Sequence, residues 1–393
     1  MIKTIDECFS LIQNGANIKQ GDVDGGFPIT RIETITNDKF SRDRMGYAGI
    51  TDISKYTSYL LEDGDLLMSH INSVQYLGRT VLYVKQSDET IIHGMNLLRL
   101  KARRDVINPA YAKYCFYGHP FRSQIRKITK KSVNQASFAV KDLKQIKLNI
   151  PALSEQNEIV MILDKIQQVL AHRIDELSKL DDLIKARFVE MFGDAVDNPM
   201  GWEKKQLQEI VTDDCTISYG IVQTGNDQEE GVPVFRPVDI VNRIPKLEEL
   251  KRTTEEISNK YKRTILKGHE MLITVRANIA DTCIVGKEFK GCNVGRGIVP
   301  IRTQENIMVL EFLKYLMDSK HLNDDIKSKA KGITLIQLNM EDLREVELIV
   351  PPIEQQKAFV EFAEQVDKSK VKVQKALDET QKLFDSLMQQ YFG

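Results

Sequence analysis

The stretch LKQIKLNIPALSEQ, residues 143–156, is repeated in altered form as LREVELIVPPIEQQ, residues 343–356. Pro151 of the first copy corresponds to Pro351 of the second, and the aligned leucines and glutamines keep the same offset of 200 residues. In both copies an alternating, strand-like run precedes the proline, which stops a strand and allows a helix to begin after it. The repeat therefore predicts that one structural plan occurs twice in this chain.

A long amphipathic helix is predicted after each proline. Apolar residues recur mostly at steps of three and four, and the two stretches close alike, on MFG ending at Gly193 and on YFG ending at Gly393. We expect each helix to run for roughly 38 residues, or about 57 Å. Because so long an apolar stripe needs a partner, we predict that the two helices pack on each other. The predicted packing residues are Ile159, Leu163, Ile166, Leu170, Ile174, Leu177, Ile184, Phe188, Phe359, Phe362, Val366, Val373, Leu377, Phe384 and Leu387.

The segments outside the helices are of mixed character. Residues 1–150 and 198–350 each combine strand-like runs with a helical stretch, whereas residues 151–197 and 351–393 contain the long helices. The sequence thus predicts an α+β protein in which two globular domains are joined by two long antiparallel coiled-coil helices. The repeat further predicts an internal pseudo-twofold relation between the two halves.

The composition is that of an ordinary globular protein, with 42% hydrophobic and 28% charged residues. No apolar run reaches the length of a membrane span, and the first residues lack the apolar stretch of a signal peptide, so we expect a cytoplasmic protein without membrane contact. The five cysteines are scattered without a CxxC spacing, which favours reduced thiols over a zinc site.

The net charge of −1 hides an uneven distribution along the chain. Residues 1–150 hold 22 Lys and Arg against 15 Asp and Glu, whereas residues 151–200 hold 5 against 10. A basic excess concentrated in one globular segment favours a polyanionic partner.

Catalytic patterns are nearly absent. The chain has neither a P-loop nor a G-x-G-x-x-G motif, and DNPM at residues 197–200 lacks the second proline and the aromatic residue of the amino-methyltransferase motif. Asp281, Glu288 and Lys290 faintly match the acidic pattern of magnesium-dependent nucleases, a spacing that is also common among surface charges. A nuclease built on these three residues is one alternative, and a coiled-coil scaffold without a DNA role is another.

The combination of these motifs resembles the specificity subunit of type I restriction–modification systems over essentially the whole chain. The strand–proline–helix passage occurs twice, and further similar stretches are GYAGITDISKYTSYLLEDGDLLMSHINS at residues 46–73, GVPVFRPVDI at 231–240 and NVGRGIVPI at 293–301. One departure is GHEML at residues 268–272, where the family has a glycine followed directly by an acidic residue. We expect this insertion to change a turn and not the role of the segment.

The resemblance implies a non-catalytic subunit that binds no cofactor itself and recognises double-stranded DNA. Residues 1–150 and 198–350 would be target-recognition domains, each reading one half of a split target, with the paired helices as the spacer. Two methylation subunits would supply S-adenosylmethionine chemistry, and motor–nuclease subunits, which use ATP and Mg²⁺, would join the full complex.

Residues that contact DNA are predicted from chemistry, since Arg, Lys, Asn and Gln read base edges best, and small polar groups assist. In the first globular segment the candidates are Ser69, His70, Asn72, Ser73, Gln75, Tyr76, Arg79, His93, Asn96, Lys130, Lys131, Asn134 and Gln135. In the second they are Gln223, Arg236, Thr274, Arg276, Asn278 and Arg296.

Overall fold

The protein is described by a computed structural model that covers residues 1–21, 25–132, 135–240, 245–332 and 336–393. The chain divides into two compact units. Unit 1 comprises Met1–Ile174 and Gln374–Gly393, and unit 2 comprises Asp175–Val373. Each unit therefore contains one globular segment and part of each long helix.

Unit 1 combines short helices with small antiparallel sheets. Its strands are β1 (Ile2–Thr4), β2 (Phe9–Asn14), β3 (Leu66–Ser69), β4 (Ile71–Asn72), β5 (Thr80–Leu82), β6 (Leu97–Ala102), β7 (Lys130–Lys131), β8 (Ala136–Ser137) and β9 (Lys147–Asn149). Its helices are α1 (Ile5–Cys8), α2 (Pro109–Tyr117), α3 (His119–Ile128), α4 (Val140–Lys144) and the first part of α5 (Leu153–Phe192). The strands form sheets in the orders β2-β6-β3-β5, β4-β8-β7 and β1-β9.

Unit 2 has a related set of elements. Its strands are β10 (Glu203–Gln206), β11 (Val232–Phe235), β12 (Lys251–Thr253), β13 (Glu270–Thr274), β14 (Thr282–Val285), β15 (Asn293–Val294), β16 (Ile298–Ile301) and β17 (Glu347–Val350). Its helices are α6 (Leu207–Ile210), α7 (Glu255–Asn259), α8 (Leu310–Asp318), α9 (Lys320–Ser328), α10 (Met340–Arg344) and the first part of α11 (Ile353–Phe392). The sheets follow the orders β14-β13-β16, β12-β11-β15 and β10-β17.

The sequence repeat is a structural repeat. Helices α5 and α11 both have 40 residues, and their first and last residues differ by the same offset of 200 that relates the two copies of the sequence. Each is preceded by a short helix, α4 or α10, and by a strand that pairs antiparallel with the first strand of its own unit. The fold is thus a mixture of helix and sheet with two long helices, as the sequence predicts.

The repeated glutamine fastens the start of each long helix. The Gln156 side chain accepts a hydrogen bond from the Asn108 N–H (2.8 Å) and donates to the carbonyl oxygens of Val106 (3.0 Å) and Pro151 (2.9 Å). It is completely buried, so these bonds satisfy backbone groups that water cannot reach.

Gln356 makes the same three hydrogen bonds in unit 2. It accepts from the Val309 N–H (2.9 Å) and donates to the carbonyl oxygens of Ile307 (3.0 Å) and Pro351 (2.8 Å). In both units, one buried amide side chain therefore ties a long helix to the segment that leads into α2 or α8.

The repeated phenylalanine before each final glycine completes a globular core. Phe192, at the end of α5, packs in unit 2 against Phe312 of α8, with ring centroids 4.8 Å apart. Phe392, at the end of α11, packs in unit 1 against Tyr111 of α2, at 5.2 Å. The helix that follows each globular segment thus ends in the core of the other unit.

Contacts between α5 and α11 are seen inside unit 2. The Phe188 ring meets the Phe359 ring edge-on at 5.4 Å, and the Lys370 ammonium lies 2.6 Å from the Asp181 carboxylate. Most of the predicted packing residues are buried or half-buried. Ile174 is 59% exposed, so its predicted packing is wrong. Ile174 lies well past Leu163, the last fully buried residue of α5 in unit 1. At that distance the globular core no longer covers the helix.

Among the described residues, no helix is both long and apolar enough to cross a membrane. All five cysteines are buried and unbridged. Burial raises the pKa of the Cys8 thiol to about 11 and that of the Cys115 thiol to about 12, which keeps both groups protonated near neutral pH.

Candidate nucleic-acid interface

A small three-stranded sheet in unit 1 brings together two segments that are far apart in the sequence. Strand β8 lies between β4 and β7, so that Asn72, Ala136 and Lys131 form one row across the sheet. The hairpin between β7 and β8 is closed by Ser132, whose N–H donates to the Gln135 carbonyl oxygen at 2.7 Å. Side chains in one row point to the same face, so Asn72 and Lys131 share a face about 10 Å apart.

Unit 2 builds a similar row with other residues. Gln337 forms β-bridges with both Arg276 and Lys331, which makes the order Arg276, Gln337, Lys331. The Arg276 guanidinium donates a hydrogen bond to the Gln337 side-chain oxygen, and the Arg276 Nε is buried without a partner among the described residues. We call these two sets of three residues the cross-strand rows.

The two rows differ in chemistry and are offset by one residue, because the counterparts of Arg276 and Gln337 in unit 1 are Ile71 and Ser137. The row of unit 1 holds the Asn72 amide, whose oxygen accepts a hydrogen bond from the Ser73 N–H at 2.7 Å, and an ammonium group. That of unit 2 holds a guanidinium, an amide and an ammonium group. Asn makes paired hydrogen bonds with adenine most readily, and Arg makes them with guanine. The two rows are thus suited to different base edges.

An exposed loop follows the row of unit 1 in the sequence. Ser73, Gln75 and Tyr76 are exposed there. The Arg79 guanidinium lies 4.5 Å from the centre of the Tyr76 ring, and its Nε is 3.0 Å from the Asp38 carboxylate. These two contacts hold the aromatic ring at the surface of unit 1.

The remaining candidates of unit 1 are more scattered. Lys130 and Gln135 are exposed on the β7–β8 hairpin. Asn96 is half-buried, with a φ of 75°, a left-handed conformation that asparagine adopts more readily than most other residues. Asn134 lies outside the described residues.

Burial contradicts the prediction for four candidates. Ser69, His70, His93 and Thr274 are at most 7% exposed, and their burial prevents contact with DNA in this conformation. Ser69 and Thr274 end the central strands β3 and β13, so their small side chains lie against the core. The Nε2 atom of His93 lies 3.1 Å from the Leu97 carbonyl oxygen, and His70 packs edge-on against Phe138.

Burial also lowers the pKa of both histidines. The pKa of His70 falls to about 4, chiefly because burial disfavours the charged ring. The pKa of His93 falls to about 3 for the same reason, with a smaller contribution from the positive charge of Arg99. Both rings are therefore neutral near pH 7, which adds to the case against a role in binding phosphate.

In unit 2, Gln223, Asn278 and Arg296 are exposed. The Arg236 guanidinium is held instead by the Asp239 carboxylate through two hydrogen bonds of 3.0 and 2.9 Å. Asp239 also accepts a hydrogen bond from the backbone N–H of Arg236, so this pair closes a local turn.

Two residues of the unit 2 row were not predicted from the sequence. Lys331 stands at the offset of 200 from Lys131, so extending the repeat to this lysine would have found it. Gln337 has no such signal, because its counterpart at the offset of 200, Ser137, was not itself a predicted residue.

The nuclease pattern does not come together. Asp281 precedes β14 and Glu288 follows it, and four residues of strand separate their backbones by about 13 Å. That arrangement contradicts a shared metal site with Lys290. Among the described residues, the ligand atoms that do converge are those of Asp194, Asp197 and His321, a different set.

The inserted residue in GHEML changes the turn, as predicted. Gly64 and Gly268 both have positive φ, of 87° and 86°, but unit 2 adds His269 with a φ of 72°. The buried Glu270 then takes the part that Asp65 has in unit 1. Each accepts a hydrogen bond from the backbone N–H three residues earlier, so the closure of the turn is kept.

The chain is similar to known proteins of one kind. A family model described as type I restriction modification DNA specificity domain matches residues 1–179 and again 199–380. A putative type I restriction enzyme MjaX specificity subunit from Methanocaldococcus jannaschii is 27% identical over 381 residues, which cover 93% of this chain and 86% of the relative. The EcoBI specificity subunit of Escherichia coli is 24% identical over 77% of this chain and 69% of its own length.

Solved structures share the fold. The S subunit of a type I restriction–modification system from M. genitalium aligns with a TM-score of 0.57 at 14% identity, over all of this chain and 96% of that one. A structure described as showing complex assembly and conformational transition of a type I system aligns with a TM-score of 0.59 at 18% identity, over all of this chain and 97% of that one.

Two matches of the family model, one in each half, account for nearly the whole chain. The chain therefore belongs to the type I restriction–modification DNA specificity family. Specificity subunits of these systems are non-catalytic, in agreement with the scattered positions of the nuclease-like residues.

Proposed function

We propose that this chain recognises a bipartite double-stranded DNA target, with unit 1 reading one half-site and unit 2 the other. The observation that carries the proposal is the three-stranded arrangement that each unit builds at the corresponding place in the repeated fold. It holds different side chains, with Ile71 and Ser137 in unit 1 where unit 2 has Arg276 and Gln337. A repeated scaffold with substituted reading groups is what two different half-sites require. Base edges carry the sequence information, whereas phosphate contacts only position the protein.

The spacer would be the pair of long helices. We propose that α5 and α11 pack as an antiparallel coiled coil between target-recognition domains formed by residues 1–150 and 198–350. The contacts of Phe188 with Phe359 and of Lys370 with Asp181 support such packing. Two readers at a fixed separation require a fixed spacing of their half-sites.

The partners would be two methylation subunits, with motor–nuclease subunits in the full complex. A repeated fold presents similar surfaces twice, which suits two copies of one partner. S-adenosylmethionine, ATP and Mg²⁺ would be bound by those subunits and not by this chain. The complex would act on DNA in the cytoplasm.

Variants of the two rows test the assignment of half-sites. We expect Arg276→Ala to weaken binding by about 1–3 kcal/mol and to relax sequence preference in one half-site alone, because a base-reading side chain is lost. Asn72→Ala should act likewise on the other half-site. Competition binding with duplexes altered in one half at a time measures both effects.

Asn14→Ala serves as a control for Asn72→Ala, because Asn14 is an exposed asparagine at the end of β2 in the same unit and lies outside the cross-strand rows. If Asn72→Ala and Arg276→Ala relax the same half-site, or neither changes the preference, the assignment of one unit to each half-site is wrong.

The alternatives predict other outcomes. A nuclease would cut DNA when the purified chain alone receives Mg²⁺, and we expect no cleavage. A coiled-coil scaffold without a DNA role would show no DNA binding, whereas phosphate contacts make binding fall steeply as salt increases.

A further inference from the structure

The end of α3 and the strand that follows it carry a dense positive charge. Arg126 and Lys127 lie in the last turn of α3, and Lys130 and Lys131 form β7. All four are exposed, and none pairs with a carboxylate among the described residues of the chain. The sequence has no acidic residue between Asp105 and Asp142. We call these four residues the basic strip.

The corresponding segment of unit 2 is electrically different. Helix α9 contains two acidic residues, Asp324 and Asp325, where α3 has none. The Lys329 ammonium lies 2.7 Å from the Asp325 carboxylate, and the Lys331 ammonium lies 3.3 Å from that of Asp342. The two lysines after α9 are thus neutralised within the protein, whereas Lys327 in its last turn is exposed like its counterpart Lys127.

Structural needs explain only part of the basic strip. Cations near the C-terminus of a helix are stabilised by its dipole, which accounts for Arg126 and Lys127 in the last turn of α3. Lys130 and Lys131 lie beyond the helix, on an edge strand. Lysine on an edge strand discourages that strand from pairing with other chains. This role does not require an unpaired lysine, because Lys331 can fill it in unit 2 while its ammonium is paired with Asp342. The lack of carboxylate partners in unit 1 therefore has no structural explanation.

We propose that the basic strip binds the DNA phosphate backbone beside the half-site of unit 1, and that the corresponding segment of unit 2 is a weaker anchor. This inference rests on the proposed DNA-recognition function. Lys131 belongs to the same row as Asn72, so phosphate contact and base reading are adjacent in unit 1. Unpaired lysines release condensed counterions when they bind phosphate, whereas lysines already paired with carboxylates release fewer.

One consequence is that the two units contribute unequally to affinity. Unit 1 supplies most of the salt-dependent attraction, and the contribution of unit 2 comes mainly from contacts with base edges. Because phosphate contacts carry no sequence information, removing the strip weakens binding without changing the recognised sequence.

The test compares two matched double variants of the full-length chain. Lys130→Gln/Lys131→Gln removes two unpaired lysines of the strip, and Lys329→Gln/Lys331→Gln removes the paired lysines of unit 2. Fluorescence anisotropy with a labelled duplex containing both half-sites, titrated with KCl, gives the slope of log K against log salt. We expect the slope to become shallower by about 1.8 for the unit 1 variant, at roughly 0.9 per phosphate, and by less than half of that for the unit 2 variant.

Equal changes in slope for the two variants, or no change for the unit 1 variant, would overturn the unequal anchoring. Failure of the wild-type chain to bind DNA would instead contradict the proposed function itself. Circular dichroism of both variants checks that each is folded, and Lys130→Arg/Lys131→Arg should keep the wild-type slope because it keeps both charges.

Discussion

Unit 1 and unit 2 share the elements that hold each long helix in place and differ in the cross-strand rows and in the charge that follows α3 and α9. Gln156 and Gln356 make the same three hydrogen bonds, at nearly the same distances. The cross-strand rows and the charge after α3 and α9 differ instead. Such a pattern is expected where one scaffold is used twice to recognise two different sequences.

Loss of the terminal phenylalanines should have the largest effect on stability. We expect Phe192→Ala to lower the free energy of unfolding of unit 2 by about 3–5 kcal/mol, because a fully buried ring leaves a cavity among Phe312 and Phe359. Phe392→Ala should destabilise unit 1 by a similar amount. Hydrogen exchange followed by mass spectrometry locates each loss.

If Phe192→Ala increased hydrogen exchange in unit 1 more than in unit 2, the placement of this ring in the core of unit 2 would be contradicted. Val189→Ala is the control, since this side chain is exposed on the same helix and should change exchange in neither unit.

Acid should act selectively on unit 1. The folded-state pKa values of His70 and His93 lie below 6.5, so protonation favours the unfolded state. The two neutral rings therefore contribute fully to the stability of unit 1 above pH 6.5. This contribution is lost as the pH falls toward 4 for His70 and toward 3 for His93. The loss in the free energy of unfolding is about 2 kcal/mol for each ring near pH 5.

Hydrogen exchange at pH 7 and near pH 5, corrected for the intrinsic exchange rate, measures this difference. The two histidines of unit 2, His269 and His321, are exposed, so unit 2 has no buried histidine ring of this kind. A stability of unit 1 that does not change between the two pH values would contradict the burial of neutral rings. His70→Gln should remove part of the pH dependence.

Removal of the repeated glutamines should have a smaller effect. We expect Gln156→Ala and Gln356→Ala each to cost about 1–3 kcal/mol, because buried backbone groups lose their hydrogen-bond partners. Chemical denaturation of each variant, beside the exposed-site control Gln168→Ala, measures the cost. Markedly unequal costs would show that the two glutamines do not play the same part.

The sequence predicted the features that depend on local periodicity. The proline, the apolar stripe and the closing glycine place both long helices almost residue by residue, because each signal acts within a few turns. The packing predicted for Ile174 was wrong. An apolar stripe shows which side of a helix is apolar, but it does not show where along the helix the covering core ends.

The sequence could not predict the features that depend on distant pairing. Arg276 meets Gln337 across 61 positions through a single bridge, and no local pattern marks that contact. Ser69 and Thr274 looked available because they are polar, but both end central strands whose side chains face the core. The sequence also could not predict which lysines are paired with carboxylates. Lys131 and Lys331 occupy equivalent positions in the sequence, but only Lys331 lies beside a carboxylate among the described residues.

In the proposed function, two different readers act at a fixed separation. The most direct measurement is to map methylated adenines in the DNA of cells that express this chain together with its methylation subunit. We predict a motif of two dissimilar parts separated by a gap of constant length, with Arg276→Ala relaxing only one part. A single continuous motif, or two parts separated by a variable gap, would contradict the account.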